Sequence, residues 1–85
     1  MENVLFDSES DLLSVNFETG SFEVHIIDIY NMIGQRLLHQ LYIPISSGSN
    51  RVDIPGVSYP TGAYVLVISK AGGALRSSRK FVMAQ

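Results

Sequence analysis

Cysteine and tryptophan are both missing from this chain of 85 residues. Without cysteine the chain has no disulfide framework, no cysteine zinc site and no thiol nucleophile. Positive charge is also scarce, since six Lys and Arg stand against eight Asp and Glu, so no net positive field would gather nucleic-acid phosphates. The apolar runs are only a few residues long, far short of the roughly 18 that a membrane-spanning helix requires.

What the chain does contain is apolar sequence and an uneven distribution of charge. With 46% hydrophobic and 16% charged residues, it has the composition of one small folded domain that buries a core. Residues 1–31 carry a net charge of −7, and residues 32–85 carry +5. Two interpretations stay open: acidic and basic strands pair within one sheet, or the basic C-terminal segment docks on a partner.

Alternation of apolar and polar residues predicts strands. It is clearest at Leu13, Val15 and Phe17, which would share one face of a strand. A second alternation begins at Phe22 and changes phase at Ile26–Ile27, which indicates a bulge or burial on both faces. The strongest candidate is the nearly continuous apolar run 63–69, which predicts a central strand.

Turn residues separate these strands. Asn31 to Gly34 has a hairpin-turn pattern, 46–50 is expected to be a loop, and Gly72–Gly73 predicts a two-residue hairpin. Further strands are expected at 4–6, 35–43, 52–54 and, as an edge strand, 75–83. The count of about seven predicts an all-β, immunoglobulin-like antiparallel β-sandwich over residues 13–85, preceded by an acidic linker or a leading strand at 1–12.

One local pattern narrows the type of sandwich. Gly62 and Tyr64 stand at the start of the penultimate predicted strand, where immunoglobulin-like domains carry a tyrosine corner whose hydroxyl bonds to the upstream backbone. Leu66 occupies the place of the usual second cysteine. The alternative is that Tyr64 is an ordinary core residue with a hydrated hydroxyl.

Chemistry-bearing residues are few, and we expect no enzyme, no cofactor and no metal site. His25 and His39 lie within predicted strands, and the sequence shows no converging acid partner for either; each is expected to be a surface strand residue. The spacing from Asp7 to Glu18 partly fits a calcium loop, but Leu12 stands where the sharp turn needs glycine. We therefore interpret the acidic run as a solvated linker.

Four segments together resemble the C-terminal sorting domain of type IX secretion system cargo or surface components. In that family a strand ending in Tyr-Asp or Tyr-Asn leads into a turn with glycine, a Gly-x-Tyr strand follows, and a basic and apolar strand closes the domain. Most of residues 13–85 is covered by the resemblance. The segments are Ile27–Gln35, Val52–Pro55, Pro60–Val67 and Arg79–Val82.

The resemblance implies a non-catalytic secretion and sorting signal of a larger protein. Its implied partners are the type IX outer-membrane translocon and its shuttle protein, with a sortase-like surface peptidase and anionic lipopolysaccharide where the domain is cleaved. The implied route is through the periplasm to the outer membrane, cell surface or medium of Bacteroidetes-type bacteria. A version retained without cleavage fits the same residues.

The family motifs carry over residue by residue. They match Tyr30, Asn31 and Gly34 at the hairpin, Gly62 and Tyr64 at the corner, and Lys80, Phe81 and Val82 in the last strand. Ile29, Leu66 and Val67 are expected core residues. The recognition strand is expected to expose its bases and to present Phe81 and Met83, so that a partner reads it by charge and strand addition; such an edge would also let two copies pair. It comprises Arg76, Arg79, Lys80, Phe81, Val82 and Met83.

A competing interpretation is a generic immunoglobulin-like adhesion or accessory module of a surface protein. Such a module should show a ligand face of clustered aromatics or loop carboxylates. The four Tyr and four Phe of this chain are instead spread over several predicted strands. The two interpretations differ in whether the parent polypeptide ends at Gln85.

Overall fold

The chain folds into antiparallel strands that form two sheets. The computed structural model describes residues 3–7, 9–20, 22–45, 47–55, 59–70 and 76–83. Within them lie β1 (Asn3–Asp7), β2 (Leu12–Thr19), β3 (His25–Asn31), β4 (Arg36–Tyr42), β5 (Gly48–Pro55), β6 (Gly62–Lys70) and β7 (Arg76–Met83). One sheet has the order β1-β2-β5 and the other the order β4-β3-β6-β7.

The strand order confirms the predicted all-β sandwich. Strands β2 and β5 pair in one sheet, and β3, β6 and β7 pair successively in the other. These neighbours correspond to the B–E, C–F and F–G pairs of immunoglobulin-type sandwiches. Strand β4 extends the second sheet beyond β3, and the predicted short strand at 4–6 is observed as β1.

The core lies between the facing sides of the two sheets. The predicted stripe on β2 is confirmed, since its three apolar side chains are at most 4% exposed. Ile29 and Leu66 are fully buried, as expected. Val67 is also buried, as expected, but it follows Leu66 and points to the opposite face of β6, so it lies outside the cluster between the sheets. The core cluster comprises Leu13, Val15, Phe17, Ile27, Ile29, Val52, Ile54, Tyr64, Leu66, Ile68, Phe81 and Met83.

Strand β3 differs from its prediction in where it begins and which face it buries. It begins at His25, and Phe22 lies before it with 60% of its surface exposed. The core-facing residues are His25, Ile27 and Ile29, whereas Ile26 lies on the other face. The alternation along β3 therefore keeps one phase from its first residue, because His25 takes the first core-facing position in place of an apolar residue.

A bulge does occur in this sheet, three residues farther along. Ile29 lies opposite Leu38, but Tyr30 lies opposite Arg36, so Leu37 is the extra residue on β4. Such a bulge increases the local twist and bends its strand. It lies directly beside the turn that joins β3 to β4.

The region predicted as a loop at 46–50 belongs partly to a strand. Strand β5 begins at Gly48, whose φ of 108° suits glycine. Asn50 is only 5% exposed, and its Oδ1 accepts hydrogen bonds from the Tyr42 hydroxyl at 3.0 Å and the Ile45 amide at 3.2 Å. These hydrogen bonds compensate for the burial of a polar side chain. The sequence alone does not reveal that Asn50 has these partners. The predicted Gly72–Gly73 hairpin lies outside the described residues.

The acidic and basic ends of the chain do not pair as neighbouring strands. Strands β1 and β2, which carry acids of the first part, lie in the three-stranded sheet, and the basic strand β7 lies at an edge of the other. Asp28 and Arg36 do form an ion pair between the two parts, with 3.9 Å between Oδ1 and Nη1. Acidic and basic strands thus meet within one sheet at β3 and β4, whereas β7 pairs with β6.

Candidate functional site

The motif residues from three separate segments meet at one end of the four-stranded sheet. Asn31 at the end of β3 lies opposite Tyr64 near the start of β6. Tyr64 in turn lies opposite Phe81 on β7. The sequence motifs are thus neighbours in space, although up to 50 residues separate Asn31 from Phe81.

The turn after β3 is organised by Asn31. Its Oδ1 accepts hydrogen bonds from the backbone amides of Ile33 at 3.2 Å and Gln35 at 2.9 Å, and its Nδ2 donates to Gln35 Oε1 at 2.8 Å. The Gly34 amide donates to the Asn31 carbonyl at 3.1 Å, which closes a four-residue turn. Gly34 has a φ of 89°, a conformation that favours glycine. The predicted hairpin turn is confirmed.

Tyr64 forms the predicted tyrosine corner. Its hydroxyl donates to the carbonyl of Pro60, four residues upstream, and its side chain is only 4% exposed. The ring centroid lies 5.7 Å from that of Tyr59 and 5.8 Å from that of Phe81, a distance favourable for aromatic contacts. Burial, with a smaller contribution from the adjacent Tyr64, raises the pKa of the Tyr59 phenol. The corner therefore joins a polar anchor to an aromatic cluster.

Gly62, the other motif residue of the corner, is under no visible backbone constraint. Its φ lies outside the positive range, and a Cβ added there would meet nothing within 4 Å among the described atoms. It is the first residue of β6. The backbone conformation therefore favours glycine at position 34, whereas the backbone and the surrounding space at position 62 do not require it.

Strand β7 has a buried face and an outward face. Phe81 and Met83 are 7% and 1% exposed and belong to the core, so the expectation that they are presented to a partner is wrong. The physical reason is register, because they lie opposite Tyr64 and Gly62, on the inner side of β6. Lys80 and Val82 point outward, and Val82 is 64% exposed.

The edge position of β7 is confirmed by the sheet order. An edge strand offers one row of backbone N–H and C=O groups for pairing. Arg79 and Lys80 are both exposed, and Arg76 begins the strand. The described residues of the predicted recognition strand therefore divide into surface and core positions, and their proposed role in recognition stays a prediction.

The two histidines occupy different environments. His39 is a surface strand residue, as expected, but its Nδ1 lies 2.6 Å from the Asp28 carboxylate. His25 is fully buried, and the expectation for it is wrong: its Nδ1 donates to the Glu23 carbonyl at 2.7 Å, and its Nε2 lies 3.1 Å from the Thr19 hydroxyl. The Asp28 partner was missed because it becomes visible only once the β3–β4 register is known.

The acidic segment before β2 forms a local turn. Asp7 accepts hydrogen bonds from the Glu9 amide at 3.0 Å and the Ser10 hydroxyl at 2.9 Å, and these bonds, the Ser10 one above all, lower the pKa of its carboxyl. Leu12 already starts β2, and Glu18 lies far along that strand. Among the described residues no three His, Asp or Glu side chains are grouped to hold a metal ion.

The outer face of the three-stranded sheet satisfies its own charges. Asp53 accepts hydrogen bonds from Arg51 Nε at 2.9 Å and from the Ser14 hydroxyl at 3.0 Å. These two hydrogen bonds lower the pKa of the Asp53 carboxyl, and the bond from Arg51 has the larger effect. Arg51 Nη2 also donates to the Ser14 hydroxyl at 3.2 Å. Ser14, Arg51 and Asp53 thus form a local polar network on this face.

Comparison with known proteins identifies the family. No helix within the described part of the chain is long and apolar enough to cross a membrane. A search of curated proteins found no match. Residues 9–84 match the family described as the secretion system C-terminal sorting domain. The matched range includes the hairpin turn, the tyrosine corner and strand β7. The chain therefore belongs to this family of type IX secretion sorting signals.

Proposed function

We propose that this domain sorts the protein that carries it by presenting strand β7 to the type IX translocon and its outer-membrane shuttle protein. The family supports the sorting signal and export to the cell surface or medium. The observation that carries this proposal is the placement of a basic strand at the edge of its sheet, held against the core by Phe81 and Met83.

Two properties of β7 fit recognition by a partner strand. Its edge leaves backbone groups available for strand addition, which supplies affinity with little dependence on sequence. Its exposed side chains supply selectivity, since Arg79 and Lys80 are cationic and Val82 is apolar. A partner with an acidic, extended segment is the chemistry that matches these groups.

The signal would be read from the folded domain. Because Phe81 and Met83 are buried, they contribute to recognition by fixing β7 in place and not by direct contact. The domain itself acts as a binding unit without catalysis. It passes through the periplasm of Bacteroidetes-type bacteria, and its later removal by a sortase-like peptidase with attachment to lipopolysaccharide is one outcome; retention at the surface is the other.

The test fuses the domain to a passenger with a signal peptide in a cell that has type IX secretion. Deleting residues 76–85 would remove core side chains, so the deletion alone cannot separate recognition from folding. The informative variant is Arg79→Gln with Lys80→Gln, which leaves the buried Phe81 and Met83 in place. Its control is Arg51→Gln with Lys70→Gln, which removes the same charge from β5 and β6.

We expect the β7 double variant to reduce surface delivery of the passenger while its unfolding midpoint stays within the range of the control. The control should be delivered like the unchanged domain. Equal delivery by both double variants would contradict recognition through the charges of β7. Failure of the unchanged domain to deliver any passenger would contradict the sorting function itself.

A further inference from the structure

An open groove lies on the outer face of the four-stranded sheet. Its floor consists of Val65 and Val67 from β6, and its sides come from Tyr30 on β3, Met32 in the turn and Ser78 on β7. Asn31 and Gly34 complete the lining. The groove thus adjoins both the motif turn and the proposed recognition strand, and it accounts for the buried Val67 on a face that is not the core.

Charged residues flank the apolar floor on both sides. The strand register places Arg36, Tyr30, Val65 and Lys80 in one row across β4, β3, β6 and β7. Three strand spacings of about 4.8 Å put the first and last backbone positions roughly 14 Å apart. Arg36 has 55% of its side chain exposed, and Lys80 is also exposed.

The acid on this face is already engaged. Asp28 lies one row away, opposite Val67 and His39, and its side chain is only 12% exposed. His39 Nδ1 lies 2.6 Å from its carboxylate and Arg36 Nη1 lies 3.9 Å from it. Among the described residues beside the groove, the exposed charges are therefore those of Lys80 and of Arg36, which keeps 55% of its side chain exposed while it pairs with Asp28.

We propose that this groove binds an extended segment of the sorting partner that has an apolar side chain at its centre and a carboxylate on each side. The apolar side chain would cover Val65 and Val67, and the carboxylates would approach Arg36 and Lys80. Charge complementarity and the cations' spacing select this occupant. The inference rests on the proposed function and assigns Tyr30 a contact surface in addition to its place in the motif.

The first test is a titration of the intact 15N-labelled chain with a blocked pentapeptide, Glu-Gly-Phe-Gly-Glu. When the peptide is extended, its two glutamates point to the same side as the central phenylalanine and stand about 14 Å apart, which matches the spacing of the two cations. We expect amide shifts at Tyr30, Val65, Val67 and Ser78. The same peptide with lysine in place of glutamate should bind more weakly. Absence of shifts at millimolar peptide, or equal binding of both peptides, would overturn the proposal.

Matched charge variants locate the binding. Lys80→Gln should weaken binding of the glutamate peptide about two- to fivefold, the range expected for one exposed ion pair. Arg51→Gln, a cation on the outer face of the opposite sheet, should leave binding unchanged. Equal weakening by the two variants would show general attraction of an anion and would overturn the groove as the site.

A bulky substitution tests the groove separately from the sorting function. Ser78→Trp places a large side chain beside the floor, and Ser49→Trp places one at an exposed position on edge strand β5. With folding verified by the unfolding midpoint, Ser78→Trp should abolish peptide shifts and reduce delivery, whereas Ser49→Trp should do neither. Normal delivery by Ser78→Trp would overturn the groove proposal and leave the sorting function standing, since the unchanged domain would still deliver its passenger.

Discussion

The tyrosine corner and the asparagine turn lie side by side, yet they are stabilised in different ways. Tyr64 is buried, contacts two aromatic rings and bonds to the backbone four residues upstream. Asn31, its partner across the β3–β6 pair, is half-exposed, and its side chain forms hydrogen bonds within its own turn. The corner therefore ties the loop before β6 to the core, whereas the turn fixes only the local path of the chain.

The difference separates global stability from local shape. Loss of the corner should affect the whole sandwich, because its ring belongs to the shared core. Loss of the turn should mainly alter the conformation of residues 32–35 and, with it, the wall of the groove. Substitutions in the two regions can therefore break or sharpen this distinction.

The largest effect is expected for Tyr64→Ala. Removing a buried aromatic side chain should lower the free energy of unfolding by about 3–5 kcal/mol, a large share of the total for a domain of this size. Urea unfolding followed by circular dichroism measures it. Tyr30→Ala, on the groove face, is the control and should cost clearly less; equal losses would remove the distinction between core and groove.

A smaller loss, about 2 kcal/mol, is expected for Asn31→Ala. The variant leaves the Ile33 and Gln35 amides without their side-chain acceptor. Asn31→Asp keeps that acceptor and should recover most of the loss, which urea unfolding of both variants would measure. NMR shifts should change mainly in residues 32–35. Changes that spread through the core would contradict a local role.

Gly34→Ala should cost about 1–2 kcal/mol, because a Cβ is disfavoured at the positive φ of this residue. Gly62→Ala is the matched comparison in the corner and should change stability by no more than about 0.5 kcal/mol, since its φ is ordinary and the space is open. Thermal unfolding of the two variants gives the answer. A larger loss of stability in Gly62→Ala would contradict this expectation, because it would mean that the corner requires glycine at this position.

The smallest effect isolates the hydroxyl of the corner. Tyr64→Phe keeps the ring and removes only the bond to the Pro60 carbonyl, so we expect a loss of about 1 kcal/mol. Tyr30→Phe is the control and should shift the urea midpoint negligibly. If Tyr64→Phe also has no effect, the corner is held by ring packing alone.

Local patterns in the sequence predicted the features that depend on residues close together in the chain. Alternation identified the buried face of β2, and turn chemistry identified Asn31 and Gly34. The facing of Phe81 and Met83 depends on the β6–β7 register. Alternation gives two faces to a strand but does not say which one meets the core, and here charge suggested the wrong one.

The remaining features depend on pairs that are distant along the chain. Asp28 meets His39 through the β3–β4 register, and the groove combines residues from β3, β6 and β7. The buried Asn50 is accommodated by hydrogen bonds from Tyr42 and Ile45. None of these contacts has a sequence pattern of its own.

The burial of Phe81 and Met83 also imposes an order in time. These side chains complete a core whose other members come from earlier strands, and β7 follows all of those strands in the chain. Whether the chain emerges from a ribosome or threads from its N-terminal side through a pore, the sandwich closes only after β7 has arrived. Completion of the core thus requires that β7 has also emerged.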